Sequence, residues 1–302
     1  MRAIQITEFG GPEVLQVRDV EQPQGDTVVE VSAAGVNWAD THQAENSYLA
    51  PAELPLVPGA EVVGTAPDGR RVVALVGTGG YAERAAANPA ATWAVPDGVD
   101  DAQALGLVLQ GTTAWHLLRT SAQVRKGETV LVHAAAGGVG TLAVQLARRF
   151  GAGRVVGVAS SEDKRALATR LGADAAVASV DELDEPVDVV LEMVGGETFA
   201  ASLKALRPFG RLVHFGQAGR EGAPKVDPGA LMARSQGVIG FWLVHMLRRP
   251  DLMTEAMNGM FELVQAGELE VVAGGEYPLA EARRAHEDMR ARTTVGKLVL
   301  RP

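Results

Sequence analysis

The sequence predicts an α/β protein that joins a strand-rich N-terminal part to a doubly wound parallel sheet. Three observations carry this. The first third alternates apolar and polar residues in short runs broken by Gly and Pro, as in Thr27–Ala33 (TVVEVSA), Glu61–Thr65 (EVVGT) and Arg71–Val76 (RVVALV). A period of two punctuated in this way is the pattern of a compact, strand-rich domain. Near residue 110 the rhythm changes to strands alternating with helices. A helix begins at Ala114–Arg119, followed by strand Thr129–His133, helix Thr141–Phe150, strand Arg154–Ala159 and helix Glu162–Leu171. A strand near Ala175–Ala178, strand Val187–Glu192, helix Thr198–Leu206 and strand Arg211–Phe215 continue the series. Such βαβ units imply a parallel sheet covered by helices on both faces. Finally, 47% apolar residues, only 5% aromatics and 35 glycines suit tight turns and small-residue packing better than an all-β binding module. The last ~55 residues look helical and end in the short strand Lys297–Leu300.

The formal charge of -9 repels phosphate backbones, so a broad nucleic-acid face is excluded. The basic pairs Arg148-Arg149 and Arg283-Arg284 read as solvated helix faces. No cysteine is present, which removes disulfides, thiolate catalysis and thiolate metal ligation together. The N-terminal MRAIQITEFGG lacks the apolar stretch of a signal peptide, and no run approaches the ~20 apolar residues of a membrane span. A cytoplasmic location is the default expectation.

The strongest chemical signal is HAAAGGVGTLAVQLA. Gly137, Gly138, Val139 and Gly140 stand between an apolar strand and an amphipathic helix, with Ala135 where the G-x-G-x-x-G fingerprint has its first glycine. Such a backbone turns sharply and aims helix N–H groups at a pyrophosphate, so a dinucleotide is expected there. The next strand ends without the Asp or Glu that would accept from a ribose 2′-OH. Ser160 and Ser161 stand there instead, with Lys164 one turn into the following helix. Two hydroxyls and an ammonium suit a 2′-phosphate and point to NADPH. A serine N-cap before Glu162 and Asp163 explains the same residues structurally, and the two readings are compatible.

Several separated segments together resemble the quinone oxidoreductase, or zeta-crystallin-like, branch of the medium-chain dehydrogenases/reductases. They are AGVNWAD (Ala34–Asp40), LPLVPGAEVVG (Leu54–Gly64), YAE (Tyr81–Glu83), LVLQGTTAW (Leu107–Trp115) and AAAGGVG (Ala134–Gly140). Downstream lie SSEDK (Ser160–Lys164), LGAD (Leu171–Asp174), RPFGRLVHFG (Arg207–Gly216), GFWL (Gly240–Leu243) and the terminal GKLVL. The resemblance implies a GroES-like catalytic domain over residues 1–111, a Rossmann domain over 112–244, and a return to the catalytic domain over 245–302. It implies an NADPH-dependent, zinc-free hydride transfer to a quinone or related conjugated carbonyl, in a homodimer. An NADPH-dependent reductase of enone, alkenal or enoyl double bonds is the alternative, and a non-catalytic NADPH-binding protein a further one.

Zinc-dependent relatives use a cysteine and the histidine of a Gly-His-Glu motif. Here Asn37 and Ala60 stand at those places, and neither an amide nor a methyl group replaces such a ligand. By resemblance, Asn37 and Asp40 line the site beside the nicotinamide, and Tyr48 matches a tyrosine placed at the substrate, able to donate a hydrogen bond or proton. Asn and Asp also stabilise turns, and a tyrosine also packs on a wall. For the cofactor, the resemblance adds Thr113 near the phosphates, Phe215 and Gly216 at a strand end, Phe241 and Leu243 behind the nicotinamide, and Arg292 in the tail; core packing is the plain reading of the aromatic segment. The histidines read as structural. Three departures stand out: His42 replaces a tyrosine, Ser179 replaces a tyrosine that contacts the 2′-phosphate, and the APDGRR loop (Ala66–Arg71) is short.

Overall fold

A computed structural model describes residues 1–302 except Asp26 and Tyr48. The chain forms two units, Met1–Leu109 with Arg249–Pro302, and Gln110–Arg248. The first unit opens with strands β1 (Arg2–Gln5), β2 (Gln16–Asp19) and β3 (Val28–Val36), then helix α1 (Trp38–Ala44). Strands β4 (Glu61–Thr65), β5 (Arg71–Leu75), β6 (Arg84–Ala86) and β7 (Thr92–Ala94) follow, then helix α2 (Asp101–Leu105). The second unit runs α3 (Thr112–His116), β8 (Thr129–Val132), α4 (Gly138–Arg149), β9 (Arg154–Val158), α5 (Glu162–Arg170) and β10 (Ala175–Val177). It continues with β11 (Val187–Glu192), α6 (Gly196–Lys204), β12 (Leu206–His214), α7 (Pro228–Arg234) and β13 (Gly237–Gly240). The chain then returns to the first unit with α8 (Pro250–Gln265), β14 (Ala273–Pro278), α9 (Ala282–Arg290) and β15 (Lys297–Arg301).

The main sheet of the first unit has the order β14-β15-β3-β4-β5-β7, with β6 also on β3. Its pairings are antiparallel apart from β14 with β15. Ile4, Ile6, Val29, Val36, Val62, Leu298 and Leu300 build its core. The register matters for the site. Leu298 pairs with Val36, and Ala34 with Val62, so Asn37, Lys297 and Glu61 come to one end of three adjacent strands.

The second unit holds a six-stranded, all-parallel sheet in the order β10-β9-β8-β11-β12-β13. Strand order reverses between β8 and β11, the switch point at whose carboxyl ends ligands of doubly wound sheets bind. Leu131, Val156, Val190, Phe199, Leu206 and Leu212 form a core between this sheet and α6.

Three elements differ from the sequence expectation. The tail is not helical throughout: β14 (AGGEYP) lies between α8 and α9, and its Gly274-Gly275 pair erases the alternation that would mark a strand. The helix expected from Ala114 is already under way at Asp101, capped by Asp100 and Gln103, and passes through π-helical stretches at Gly106–Gly111 and Leu117–Ala122. Finally, β12 starts at Leu206 rather than Arg211, running through Pro208 and the positive-φ Phe209.

Candidate active site

In the first unit a buried polar cluster surrounds the turn into α1. Asn37 is the N-cap and Asp40 the third helical residue of a capping box, with the Asp40 carboxylate accepting from the Asn37 backbone N–H at 2.8 Å. Both side chains are buried, at 4% and 1% exposure. The Asn37 amide nitrogen donates to Glu61 at 3.0 Å, and the Lys297 ammonium donates to the Asn37 carbonyl oxygen at 3.2 Å. Lys297 also forms an ion pair with Glu61, both groups being fully inside. Gly35 makes room for them: a Cβ there would lie 2.6 Å from the ammonium and 2.7 Å from the Lys297 methylene next to it. On the other side the Tyr81 hydroxyl donates to Asp40 at 2.8 Å and lies 3.1 Å from His286 Nε2.

Burial controls the charges. It pushes the Asp40 carboxyl up to about 7, against the pull of the Asn37 N–H and the Tyr81 hydroxyl. It also lowers His286 to about 4 and raises Tyr81, to which the Asp40 charge adds. At neutral pH a neutral imidazole and a neutral phenol therefore face a carboxyl poised near its midpoint. Asn37 and Asp40 come together at this turn, where their side chains bond to Glu61, Lys297 and Tyr81 of the same unit. Tyr48 lies outside the described residues. His42 is buried on α1, its Nδ1 2.8 Å from the Ser47 hydroxyl. Arg292 sits just past α9 in a left-handed conformation with φ 56°.

In the second unit the glycine turn joins β8 to α4. Ala134 adopts φ 47°, Gly137 is the N-cap, and the helix starts at Gly138, three residues earlier than the periodicity suggested. No side chain caps this helix, so the first-turn N–H groups of Gly138, Val139 and Gly140 are presented without a side-chain acceptor. That is the donor arrangement an anionic pyrophosphate requires. The glycines also answer to close packing. A Cβ on Gly140 would lie 2.8 Å from the Ala134 carbonyl carbon and from Ala135 Cα, while one on Gly138 would enter the Gln110 side chain. Thr113, on α3, is buried.

At the end of β9, Ser160 and Ser161 are exposed and Lys164 is half-buried. The Ser161 hydroxyl accepts the Lys164 backbone N–H at 3.3 Å, so it does serve as the N-cap of α5. At the end of β12, Phe215 and Gly216 are half-buried, and the Phe241 N–H donates to the His214 carbonyl at 2.9 Å, drawing the segment that carries Phe241 and Leu243 to the same sheet end.

Sequence reasoning gave no role to Glu61, Lys297, Tyr81 or His286, nor to the carboxylate–histidine pair of Glu192 and His214. Glu192, at the end of β11, is fully buried and accepts N–H groups from Val194 (2.6 Å) and Gly195 (2.8 Å). Its other oxygen meets His214 Nδ1 at 2.6 Å. Burial works to raise this carboxyl, yet the imidazole and the two N–H groups outweigh it and hold it below the usual range. The usable signal was a charged residue closing a mostly apolar strand.

Among the described residues no group of three or more His, Asp or Glu could hold a metal ion. The profile of one family, described as zinc-binding dehydrogenase, matches residues 138–264, a span that excludes Asn37, Ala60 and Glu61. A curated mouse quinone oxidoreductase is 34% identical over 99% of this chain and 97% of its own. The solved quinone oxidoreductase of Thermus thermophilus, studied alone and with NADPH, is 39% identical with a TM-score of 0.89 over the whole of both chains. That of Escherichia coli, complexed with NADPH, is 30% identical with a TM-score of 0.92 over the whole of both chains. The chain belongs to the quinone oxidoreductase family of the medium-chain dehydrogenases/reductases. In this family member the strand-rich unit is the GroES-like domain and the parallel-sheet unit the Rossmann domain. The glycine turn of the oxidoreductase is the β8–α4 connection.

Proposed function

We propose that the protein reduces quinones with NADPH and without zinc. The observation that carries this reading is full-length similarity to quinone oxidoreductases, two of them solved with NADPH, in a chain whose own uncapped helix N-terminus fits the pyrophosphate. When bound, the nicotinamide supplies a hydride; with one proton, a quinone becomes a hydroquinone. Gly137, Gly138, Val139, Gly140 and Thr113 hold the phosphates, while Ser160, Ser161 and Lys164 take the 2′-phosphate. Phe215 and Gly216 line the cofactor site at a strand end, Phe241 and Leu243 back the nicotinamide, and Arg292 is a cofactor-binding residue of the tail. Asn37 and Asp40 shape the substrate-side turn through the buried cluster, and Tyr48 donates the proton or hydrogen bond to the reduced oxygen.

Zinc independence is supported by the donor set. Asn37 is engaged by Glu61 and Lys297, and the residue preceding Glu61 is an alanine. A conjugated acceptor delocalises the incoming charge, so positioning and hydrogen bonds suffice. The working form is a homodimer: β13 is the outer strand of its sheet, α7, which precedes it in the chain, buries no residue, and Phe209 and Met232 are 81% and 80% exposed. No helix among the described residues is long and apolar enough to cross a membrane, and an NADPH-consuming reductase fits the cytoplasm.

The reading is tested with 1,4-benzoquinone and each nicotinamide in turn. Quinone-dependent oxidation of NADPH, faster than that of NADH, is expected; oxidation of neither would refute it. Tyr48→Phe should lower turnover while leaving NADPH affinity unchanged.

A further inference from the structure

The 2′-phosphate site proposed above rests on Ser160, Ser161 and Lys164, and a fourth residue stands among them. Arg165 is the fourth residue of α5. Helical side chains lean toward the helix N-terminus, and that of Arg165 folds back so that its Nη1 donates to the Ala159 carbonyl at 3.1 Å. Ala159 is the residue after β9 and immediately before Ser160. The half-buried guanidinium is therefore held at the exit of β9, against the backbone that presents both serines.

Several arginines of this unit are taken up by carboxylates. Arg148 pairs with Asp174, Arg154 with Asp184 and Glu185, and Arg211 with Glu128. Arg165 has no carboxylate partner among the described residues, although the chain carries 37 acidic residues against 28 basic ones. One of five N–H donors is used on a backbone carbonyl, leaving a planar fork anchored but unsatisfied. Glu162 and Asp163 are exposed in the first turn, where they complement the helix dipole instead. Meanwhile Ser179, at the place of the tyrosine expected to contact the phosphate, turns its hydroxyl to Asp181 at 3.2 Å and accepts the Asp181 N–H, capping its own short helix.

We infer that Arg165 is a specificity-determining residue that grips the 2′-phosphate of NADPH together with Lys164, taking over a contact that Ser179 does not make. This rests on the NADPH reading above. A guanidinium suits the task, since its fork meets two phosphate oxygens at once whereas an ammonium acts as a point charge.

The test is equilibrium binding of NADPH, NADH and 2′,5′-ADP to wild type, Arg165→Ala, Arg165→Lys and Lys164→Ala, followed by calorimetry or nicotinamide fluorescence. Removing one charge-assisted contact should weaken NADPH and 2′,5′-ADP by about tenfold to a hundredfold. NADH should change by less than about twofold, and the lysine variant should recover part of the loss. Equal weakening of NADPH and NADH would overturn the inference by showing a structural role, as would an unchanged NADPH preference in Arg165→Ala. If the wild type itself fails to prefer NADPH, the cofactor reading falls, and this inference with it.

Discussion

Lys297→Met removes the cation that meets Glu61 in the interior of the first unit. Both groups are essentially without solvent, at 1% and 0% exposure. Methionine nearly matches the lysine stem in length, so the perturbation is mainly the lost charge. Glu61 then keeps only the Asn37 amide as a polar neighbour, since its second carboxylate oxygen has no hydrogen-bond partner. Breaking a buried pair from one side leaves an uncompensated charge and costs about 3–5 kcal/mol. In a unit of this size that corresponds to a fall in melting temperature of roughly 6–20 °C. Adding Glu61→Gln to Lys297→Met removes the orphaned charge and keeps an acceptor for Asn37, so the double variant should recover at least about 2 kcal/mol of the single loss. The assay is urea unfolding of the wild type, both single variants and the double. A cost below about 1 kcal/mol for Lys297→Met, or strict additivity in the cycle, would refute the claim that this ion pair holds the turn.

Other expectations follow from the same geometry. Gly140→Ala places a methyl group against the Ala134–Ala135 backbone, which cannot swing aside, so it should destabilise by about 1–3 kcal/mol and weaken NADPH binding. Gly222→Ala, with open space at its Cβ, should melt close to wild type; similar behaviour of the two variants would contradict the packing argument. Burial lowers His116, His133 and His286 from 6.5 to about 4, so the unfolded chain binds protons there that the folded chain does not. That stability is present above pH 6.5 and lost as pH falls toward 4. Asp40, raised from 3.8 to about 7, has the opposite sign: its contribution is full below 3.8 and lost as pH rises through 7. Three groups outnumber one, so unfolding free energy measured by urea titration should fall on acidification from 6.5 to 4. A flat or rising profile would show that these burials are misjudged. Lys164→Ala should weaken NADPH more than NADH; equal losses in titrations of both would remove its role at the 2′-phosphate.

Much of the architecture was legible because its signals are local. Val187–Glu192 reads as a strand from its short, mostly apolar and valine-rich run, and the β8–α4 turn from glycines placed between an apolar strand and an amphipathic helix. What escaped depends on pairing between distant segments. Glu61 and Lys297 are 236 positions apart, and only the register of β15 on β3 and β3 on β4 brings them to Asn37. Tyr81 and His286 are 205 apart and meet only when α9 packs beside the turn. In sequence each is an isolated polar residue with no period to mark it. Strand β14 escaped for the opposite reason: its glycines remove the side-chain alternation, and parallel pairing with β15 supplies the order that pattern does not. Arg165 was overlooked because Lys164 beside it already satisfied the pattern, and only the fold-back to Ala159 separates the two.

The measurement that tests the central claim most directly is NADPH oxidation by protein dialysed against a strong chelator, with 1,4-benzoquinone, a naphthoquinone and a simple enone compared side by side. Zinc-free quinone reduction predicts that turnover with the quinones survives chelation and exceeds turnover with the enone. Activity on the enone alone, or quinone turnover that chelation abolishes and zinc restores, would contradict it.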